Sequence, residues 1–258
     1  MKLKYALVNG LRQVAQPTLH GICPNCYKDV VAKCGQQRVW HWSHVGKLEC
    51  DRWWENETEW HLKWKAVFPP EWQEVVHSTP SGERHIADVK TDKGLVVEFQ
   101  HSPISLVERT SREQFYRLMI WLVDGTRYTR DPAAFRALLR DPPVSERPLR
   151  WLARIEDVAL LRRWAPLHCP VFIDFGTEEF FINGSALSHP AVWQLEKHPV
   201  EGLVVITPVT RASFTQRLLN GSPLKRFCIH RATQPRRLSN PSKFQRYLAW
   251  KERHRPRF

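Results

Sequence analysis

Asp88, Glu98 and Gln100 have the side-chain types and spacing to gather around a hard cation. Asp88 lies in Arg84-His-Ile-Ala-Asp88-Val, and the other two in Leu95-Val-Val-Glu98-Phe-Gln100-His-Ser102. Both stretches are apolar and β-branched, and Asp92-Lys-Gly94 between them is a tight-turn signal, which predicts two strands of a hairpin. Alternation along a strand puts Glu98 and Gln100 on one face and Val97 and Phe99 on the other. Asp88, near the middle of the neighbouring strand, can face the same way. Two carboxylates and an amide on one sheet surface suit a divalent cation that prefers oxygen ligands, such as Mg²⁺ or Mn²⁺.

The elements that must position these groups flank them. Upstream, Glu57, His61 and Lys65 recur at a spacing of four before Pro69-Pro70. In a helix over 57–68 they share one face, while Trp60, Trp64 and Val67 share another. A strand is expected over Glu74–His77, a second helix over Ile104–Leu118, and a strand over Met119–Asp124, closed by Gly125. The order is helix, three strands, helix, strand, an α/β (α+β) layout. Nearer the N-terminus, Asn9-Gly10 between Lys4–Val8 and Arg12–Ala15 is a strong hairpin signal. Cys23-Pro-Asn-Cys26 and His41-Trp-Ser-His44 then present two ligand pairs about fifteen residues apart, as in a small tetrahedral zinc site. Cys34 and Cys50 are rival ligands to the second pair. Four protein ligands would make the zinc structural, and sparse apolar residues between the pairs imply that the segment needs the metal to fold.

Taken in order, these pieces resemble the competence protein CoiA family within the PD-(D/E)XK nuclease fold. The resemblance is carried by the Cys-Pro-x-Cys and His-x-x-His pairs, Glu57-x3-His61-x3-Lys65, Ala87-Asp88-Val, Glu98-Phe-Gln100-x-Ser102, and Glu108-Arg109-Thr110 leading to Tyr116. It covers roughly the first half of the chain. It implies a metal-dependent DNA nuclease acting in DNA uptake and recombination, repair or defence, alongside the proteins of those processes. Asp88 and Glu98 would hold magnesium, with the Phe99 carbonyl as a third ligand and Glu57 reaching the same or a second ion. Gln100 stands where the commonest pattern has lysine; it can orient water but brings no charge, which Lys65 could restore, while His61 could pass a proton or hold a phosphate. The general base is left open. Arg84, Ser102, Arg109 and Tyr116 are candidates for nucleic-acid contact.

Composition agrees with a polyanionic partner. The 258-residue chain carries a net charge of +13, a field suited to DNA. From Lys225 onward eleven Lys/Arg face one acidic residue, so Arg236, Arg237, Lys243 and Arg246, interleaved with Phe244, Tyr247 and Trp250, are candidate phosphate contacts. A solvated terminus explains that tail equally well. Seven of the twelve tryptophans fall between Trp40 and Trp72 and are expected to pack the first helix and the zinc module. No eighteen-residue apolar run and no secretion-signal core is present, so the expected location is cytoplasmic. Glu49–Asn56 links a zinc module (1–50) to a nuclease-like core (51–142), and Asp141-Pro-Pro143 marks the boundary with a C-terminal region (143–258). In that last region strands are expected at Leu149–Ala153, Pro170–Phe175 and Glu179–Ile182, the latter two as a hairpin through Gly176, with helices at Ile155–Trp164 and Ala212–Leu219. Whether it packs on the core or stands apart is open. Two other functions fit the same residues: a non-catalytic zinc-containing DNA-binding adaptor, and an RNA-processing nuclease.

Overall fold

The structure, a computed structural model, describes residues 2–46, 50–146, 148–166, 168–176, 180–182, 185–186 and 191–221. Arg236, Arg237, Lys243 and Arg246 lie outside the described residues. The fold is mixed α+β and mostly sheet.

The N-terminal module is a six-stranded antiparallel sheet. Its strands are β1 (Lys2–Leu3), β2 (Tyr5–Val8), β3 (Leu11–Val14), β4 (His20–Ile22), β5 (Asp29–Lys33) and β6 (His41–His44), in spatial order β1-β6-β5-β4-β2-β3. Asn9 and Gly10 both take positive φ, 52° and 77°, as a two-residue turn matching strand twist requires. Trp42 and Val30, both fully buried, centre its small core.

The remaining strands form one nine-stranded sheet. In chain order the elements are α1 (Glu59–Lys65), β7 (Gln73–Ser78), β8 (Arg84–Lys90), β9 (Val96–Gln100), α2 (Leu106–Tyr116), β10 (Met119–Asp124), α3 (Asp131–Leu138), β11 (Ser145–Glu146), β12 (Leu149–Arg154), α4 (Ala159–Trp164), β13 (Val171–Asp174), the short pair β14 (Phe181–Ile182) and β15 (Ser185–Ala186), β16 (Ala191–Lys197), β17 (Leu203–Thr210) and α5 (Arg211–Leu219). The large sheet runs β11-β12-β17-β16-β13-β10-β9-β8-β7. β10 is parallel to both β9 and β13, and the other pairings are antiparallel. β9 and β10 are buried along their whole length, which is why they read as continuous apolar runs broken only by Glu98, Gln100 and Asp124. One face packs against Trp64, Phe68, Phe214 and Leu218 of α1, the loop after it and α5. The other packs against Phe115, Phe135, Leu160 and Trp164 of α2, α3 and α4.

Two expectations are corrected here. The strand at Val171–Asp174 does not pair with the stretch around 181–182: its antiparallel neighbour is β16, and β14 pairs with β15. Helix α1 begins at Glu59, with Thr58 as its N-cap, so Glu57 precedes the helix instead of lying on its face. The open question about the region after residue 143 is answered by strand pairing, since β12, β13, β16 and β17 extend the same sheet. Among the described residues no helix is long and apolar enough to cross a membrane.

Gly125, at the end of β10, shows how closely the two halves fit. A Cβ added there would lie 2.6 Å from the Phe175 ring and 2.7 Å from Ile173. Gly125→Ala is therefore expected to lower stability by about 1–3 kcal/mol through overpacking, measured by urea denaturation; an unchanged midpoint would show that β13 does not sit beside β10.

Candidate functional site

The antiparallel ladder between β8 and β9 is the origin of the site. Backbone pairing runs through Lys90↔Val96 and Val89↔Val97 and then stops. At the next position side chains take over: the Phe99 amide donates to Asp88 Oδ2 at 2.9 Å, and the Asp88 amide donates to Glu98 Oε1 at 3.2 Å. The two carboxylates thus stand opposite one another where the strands part. Residues of a cleft surround them, among them Glu55, Glu57, His61, Lys65, Glu74 and Arg112.

Two cations hold this acidic group. Lys65 is 4 % exposed; its Nζ lies 2.9 Å from Asp88 Oδ1 and 3.6 Å from Glu74 Oε1, and it bonds Glu57. Burial alone would lower the Lys65 pKa, yet Asp88, Glu74 and Glu57 hold it well above the usual lysine value. Arg112 of α2 reaches Glu98 Oε2 at 3.2 Å and the Trp53 carbonyl at 2.8 Å. Burial pushes the Asp88 carboxyl up, but the Lys65 ammonium, helped by the Phe99 amide, brings it below its ordinary value. Glu98 moves the other way: burial, then the Asp88 charge, outweigh Arg112 and push it up to about 8.

Glu74 is a member of the site that the sequence reading passed over as the start of a strand. It sits across from Asp88 between the Gln73↔Val89 and Val75↔Ala87 pairs. It takes φ 48°, a left-handed conformation unusual for a non-glycine residue. The Lys4 amide of the N-terminal module donates to its Oε2 at 2.8 Å, and burial raises its pKa.

The segment joining the module to α1 supplies more of the site than a linker would. Asp51 opens a turn closed by the Trp54 amide on its carbonyl at 3.2 Å, and Asp51, Trp53, Glu55 and Glu57 all border the cleft. Asp51 accepts from His85 Nδ1 at 2.7 Å and the Ile86 amide at 2.8 Å. Trp53 stacks on His85 with centroids 3.4 Å apart. Glu55 accepts from Gln100 at 2.6 Å, and Glu57 binds Lys65. The signal for this was three acidic residues, Asp51, Glu55 and Glu57, gathered around Trp53 within seven residues.

Several expected roles change. His61 is not free for a proton or a phosphate: its Nδ1 accepts from the Thr58 amide at 3.2 Å, and its Nε2 donates to the Phe99 carbonyl at 3.0 Å. It clamps α1 to β9, and the Phe99 carbonyl expected to bind metal is its acceptor. Arg109, 2 % exposed, gives its donors to Glu113 and to the Arg163 and Ala165 carbonyls. Tyr116 is buried beside Trp53 and Phe115. Both are scaffold, because a phosphate cannot reach them. Arg84 donates to the Pro24 carbonyl at 2.8 Å and lies over the Tyr27 ring, tying β8 to the N-terminal module. Ser102 contributes its carbonyl to Gln100.

The second cluster is in the N-terminal module. Ligand atoms of Cys23, Cys26, His44 and Cys50 all lie within 4.8 Å of one another. Cys23 Sγ is 3.5 Å from Cys50 Sγ, and Cys26 Sγ is 3.2 Å from His44 Nε2. A tetrahedral zinc ion with bonds of about 2.0–2.3 Å has edges of about 3.3–3.8 Å, so the donor set can hold zinc. The Cys50 hydrogen bond pulls the Cys23 thiol down to about 5, against burial, and the same bond and burial raise Cys50. A cation would relieve that opposition. His41 is replaced by Cys50: three residues apart on β6, His41 and His44 face opposite ways, and His41 Nδ1 donates to the Val39 carbonyl instead. Cys34 is not in the group. The knuckle itself closes through the Tyr27 amide on the Cys23 carbonyl at 3.0 Å, with Tyr27 at φ 59°.

Residues 14–52, spanning all four of these ligands, match the family model described as Competence protein CoiA, N-terminal domain. The match supports a CoiA-like family for this chain. It ends just before the acidic cleft, so the CoiA-like segment accounts for the thiol cluster and for Asp51. No curated protein and no solved structure matches the chain.

Two outcomes are expected. Purified Cys50→Ala should lose bound zinc while His41→Ala keeps it, as measured by elemental analysis; the reverse would restore His41 as the ligand. In EDTA, stability should fall as pH rises from near 4.5, the ordinary glutamate value, to about 8, because over that range the unfolded chain binds fewer protons than the folded one. Glu98→Gln should flatten that decline in urea titrations, and an equally steep decline would mean Glu98 ionises normally.

Proposed function

We propose that the chain is a divalent-metal-dependent DNA nuclease whose core, α1 through β10, is of the PD-(D/E)XK type. The observation that carries this is the parting of β8 and β9, where Asp88 and Glu98 replace a backbone ladder with two opposed carboxylates beside a buried lysine. A structural ion pair does not need the ladder to open. The helix, strand, strand, strand, helix, strand order of the same segment supports the reading.

Asp88 and Glu98 are the groups that would hold Mg²⁺ or Mn²⁺, with Glu74 and Glu57 alongside. When bound, such an ion supplies Lewis-acid charge to a phosphate oxygen and lowers the pKa of water. Lys65, now held by Asp88, Glu74 and Glu57, would offer a phosphate a fixed positive charge. Arg112 keeps Glu98 oriented from below, and His61 keeps α1 seated on β9. The zinc cluster braces the N-terminal module, whose Lys4 amide and Lys2 and Leu3 border the cleft. The word competence in the family description is consistent with DNA as the substrate; a cytoplasmic location and recombination, repair or defence proteins as partners belong to the same proposal. An RNA substrate would be distinguished by 2′-hydroxyl contacts.

One observation favours the adaptor reading instead. Lys65 and Arg112 already neutralise the acidic pair, as they would in a relic of a nuclease that only binds. Cleavage of single- and double-stranded DNA with Mg²⁺, Mn²⁺ or EDTA separates the two. We expect metal-dependent cutting that falls by at least about 100-fold in Asp88→Ala and in Glu98→Ala, the scale of losing one charge-stabilising group. Binding without cutting, unaffected by either substitution, would establish the adaptor.

A further inference from the structure

The loop after β10 and the end of α4 bring four arginines to one surface. Residues 126–130 are exposed throughout, as are Arg162 and Arg163. Tyr128, 39 % exposed, joins the two segments: the Arg163 guanidinium lies over its ring at 4.4 Å and that of Arg127 at 5.6 Å. Asp131 beside them is buried and already bonded to Arg163. Arg127 and Arg130 form no ion pair among the described residues. The loop is held in shape at both ends. The Thr126 amide and hydroxyl donate to Asp124 Oδ1 at 2.8 Å and 2.6 Å, and the Asp131 amide donates to the Tyr128 carbonyl at 2.9 Å.

Two routes tie this surface to the acidic pair. β10 runs parallel to β9, so the loop leaves the same sheet edge as the end of β9, where His101 bonds Asp124 at 2.8 Å. On α2, Arg109 holds the Arg163 and Ala165 carbonyls, and Arg112, about one turn further on, holds Glu98. Followed along the chain through His101 and Asp124, the path from Glu98 to Tyr128 is about 30 Å at most. That is the reach of about nine nucleotides of one strand. Guanidinium groups on one surface repel one another, and phosphates would relieve that repulsion while accepting paired hydrogen bonds.

We propose that Arg127, Arg130, Arg162 and Arg163 form a second nucleic-acid contact, which takes the sugar-phosphate backbone of DNA beyond the acidic cleft. This deepens the DNA nuclease reading and rests on it for the identity of the polyanion. The contact reads no base, because its donors are matched to phosphate oxygens. Tyr128 is its positioning residue: the ring holds two of the guanidinium groups in place before DNA arrives, so less side-chain freedom is lost on binding.

The test is the salt dependence of binding, measured by fluorescence anisotropy on labelled single- and double-stranded DNA with no added Mg²⁺ or Mn²⁺. Arg127→Ala combined with Arg130→Ala should weaken binding about 10-fold. It should also lower the slope of log affinity against log salt by about 1.4 on single strands and about 1.8 on duplex, the loss of two phosphate contacts. Lys33→Ala combined with Arg38→Ala removes the same charge from two other exposed positions and should leave the slope at the parent value. Tyr128→Ala should weaken binding about fivefold, and Tyr128→Phe, which keeps the ring, should restore it. Arg127→Gln combined with Arg130→Gln serves where the alanine pair does not fold. An unchanged slope in the Arg127 and Arg130 variants, or an equal fall in the Lys33 and Arg38 variant, overturns the contact. RNA of the same length held more tightly than DNA by these arginines overturns DNA as the ligand. A parent that cuts DNA while the arginine variants bind as it does overturns the contact alone. A parent whose binding depends on these arginines but which cuts nothing with Mg²⁺ or Mn²⁺ overturns the nuclease reading and leaves the contact in place.

Discussion

The arrangement depends on an exchange of hydrogen bonds where β8 and β9 separate. A sheet that parts in its interior strands two backbone amides, and burying them unpaired would be costly. Asp88 and Glu98 accept from those amides, so the opening is held by the same side chains that make it useful. Each carboxylate has an oxygen left for a cation, which in this structure is the Lys65 ammonium for one and the Arg112 guanidinium for the other. Buried carboxylates at this spacing repel, and the two respond in opposite directions: Asp88 is drawn down by Lys65 while Glu98 is pushed up by burial and by Asp88. An environment that splits two acidic groups in this way is a frequent property of functional sites.

The N-terminal module and the large sheet are linked through the same few residues. Cys50 belongs to the thiol cluster, and the next residue, Asp51, accepts from His85 and the Ile86 amide on β8. From there the chain passes Trp53, Glu55 and Glu57 across the cleft before α1 begins. Lys4 and Arg12 return the contact, reaching Glu74, Gln73 and Pro70. A metal held by that cluster would therefore also fix one wall of the cleft, and four protein ligands would leave no position open for chemistry. Helix α1 is tied at its far side as well, where Trp60 and Trp64 both donate to Asp174 at the end of β13.

Local patterns in the chain carried a good part of this. The Asn9-Gly10 hairpin, the apolar runs of β9 and β10, the helix ended by Pro69-Pro70 and the Cys23/Cys26 pair all follow from short-range rules. Those rules act within a few residues, where backbone conformation and side-chain alternation decide the outcome. The same rules, applied more strictly, would have separated His41 from His44, since an odd offset along a strand reverses the face. β16 and β17 were not anticipated, and their pairing with β13 and β12 depends on neighbours distant in sequence.

By itself, then, the sequence determined the presence of a thiol-rich module, the acidic pair and the elements that bear them. Only the tertiary structure decided which partners each polar group meets. It brought in Cys50 for His41, placed Glu74 beside Asp88, spent both nitrogens of His61 on Thr58 and Phe99, and buried Arg109 and Tyr116 as scaffold. The physical reason is that hydrogen bonds and ion pairs are satisfied in space, between groups far apart along the chain, as with Lys4 and Glu74 or Gln100 and Glu55. Periodicity shows where a side chain points, whereas the fold supplies what it points at.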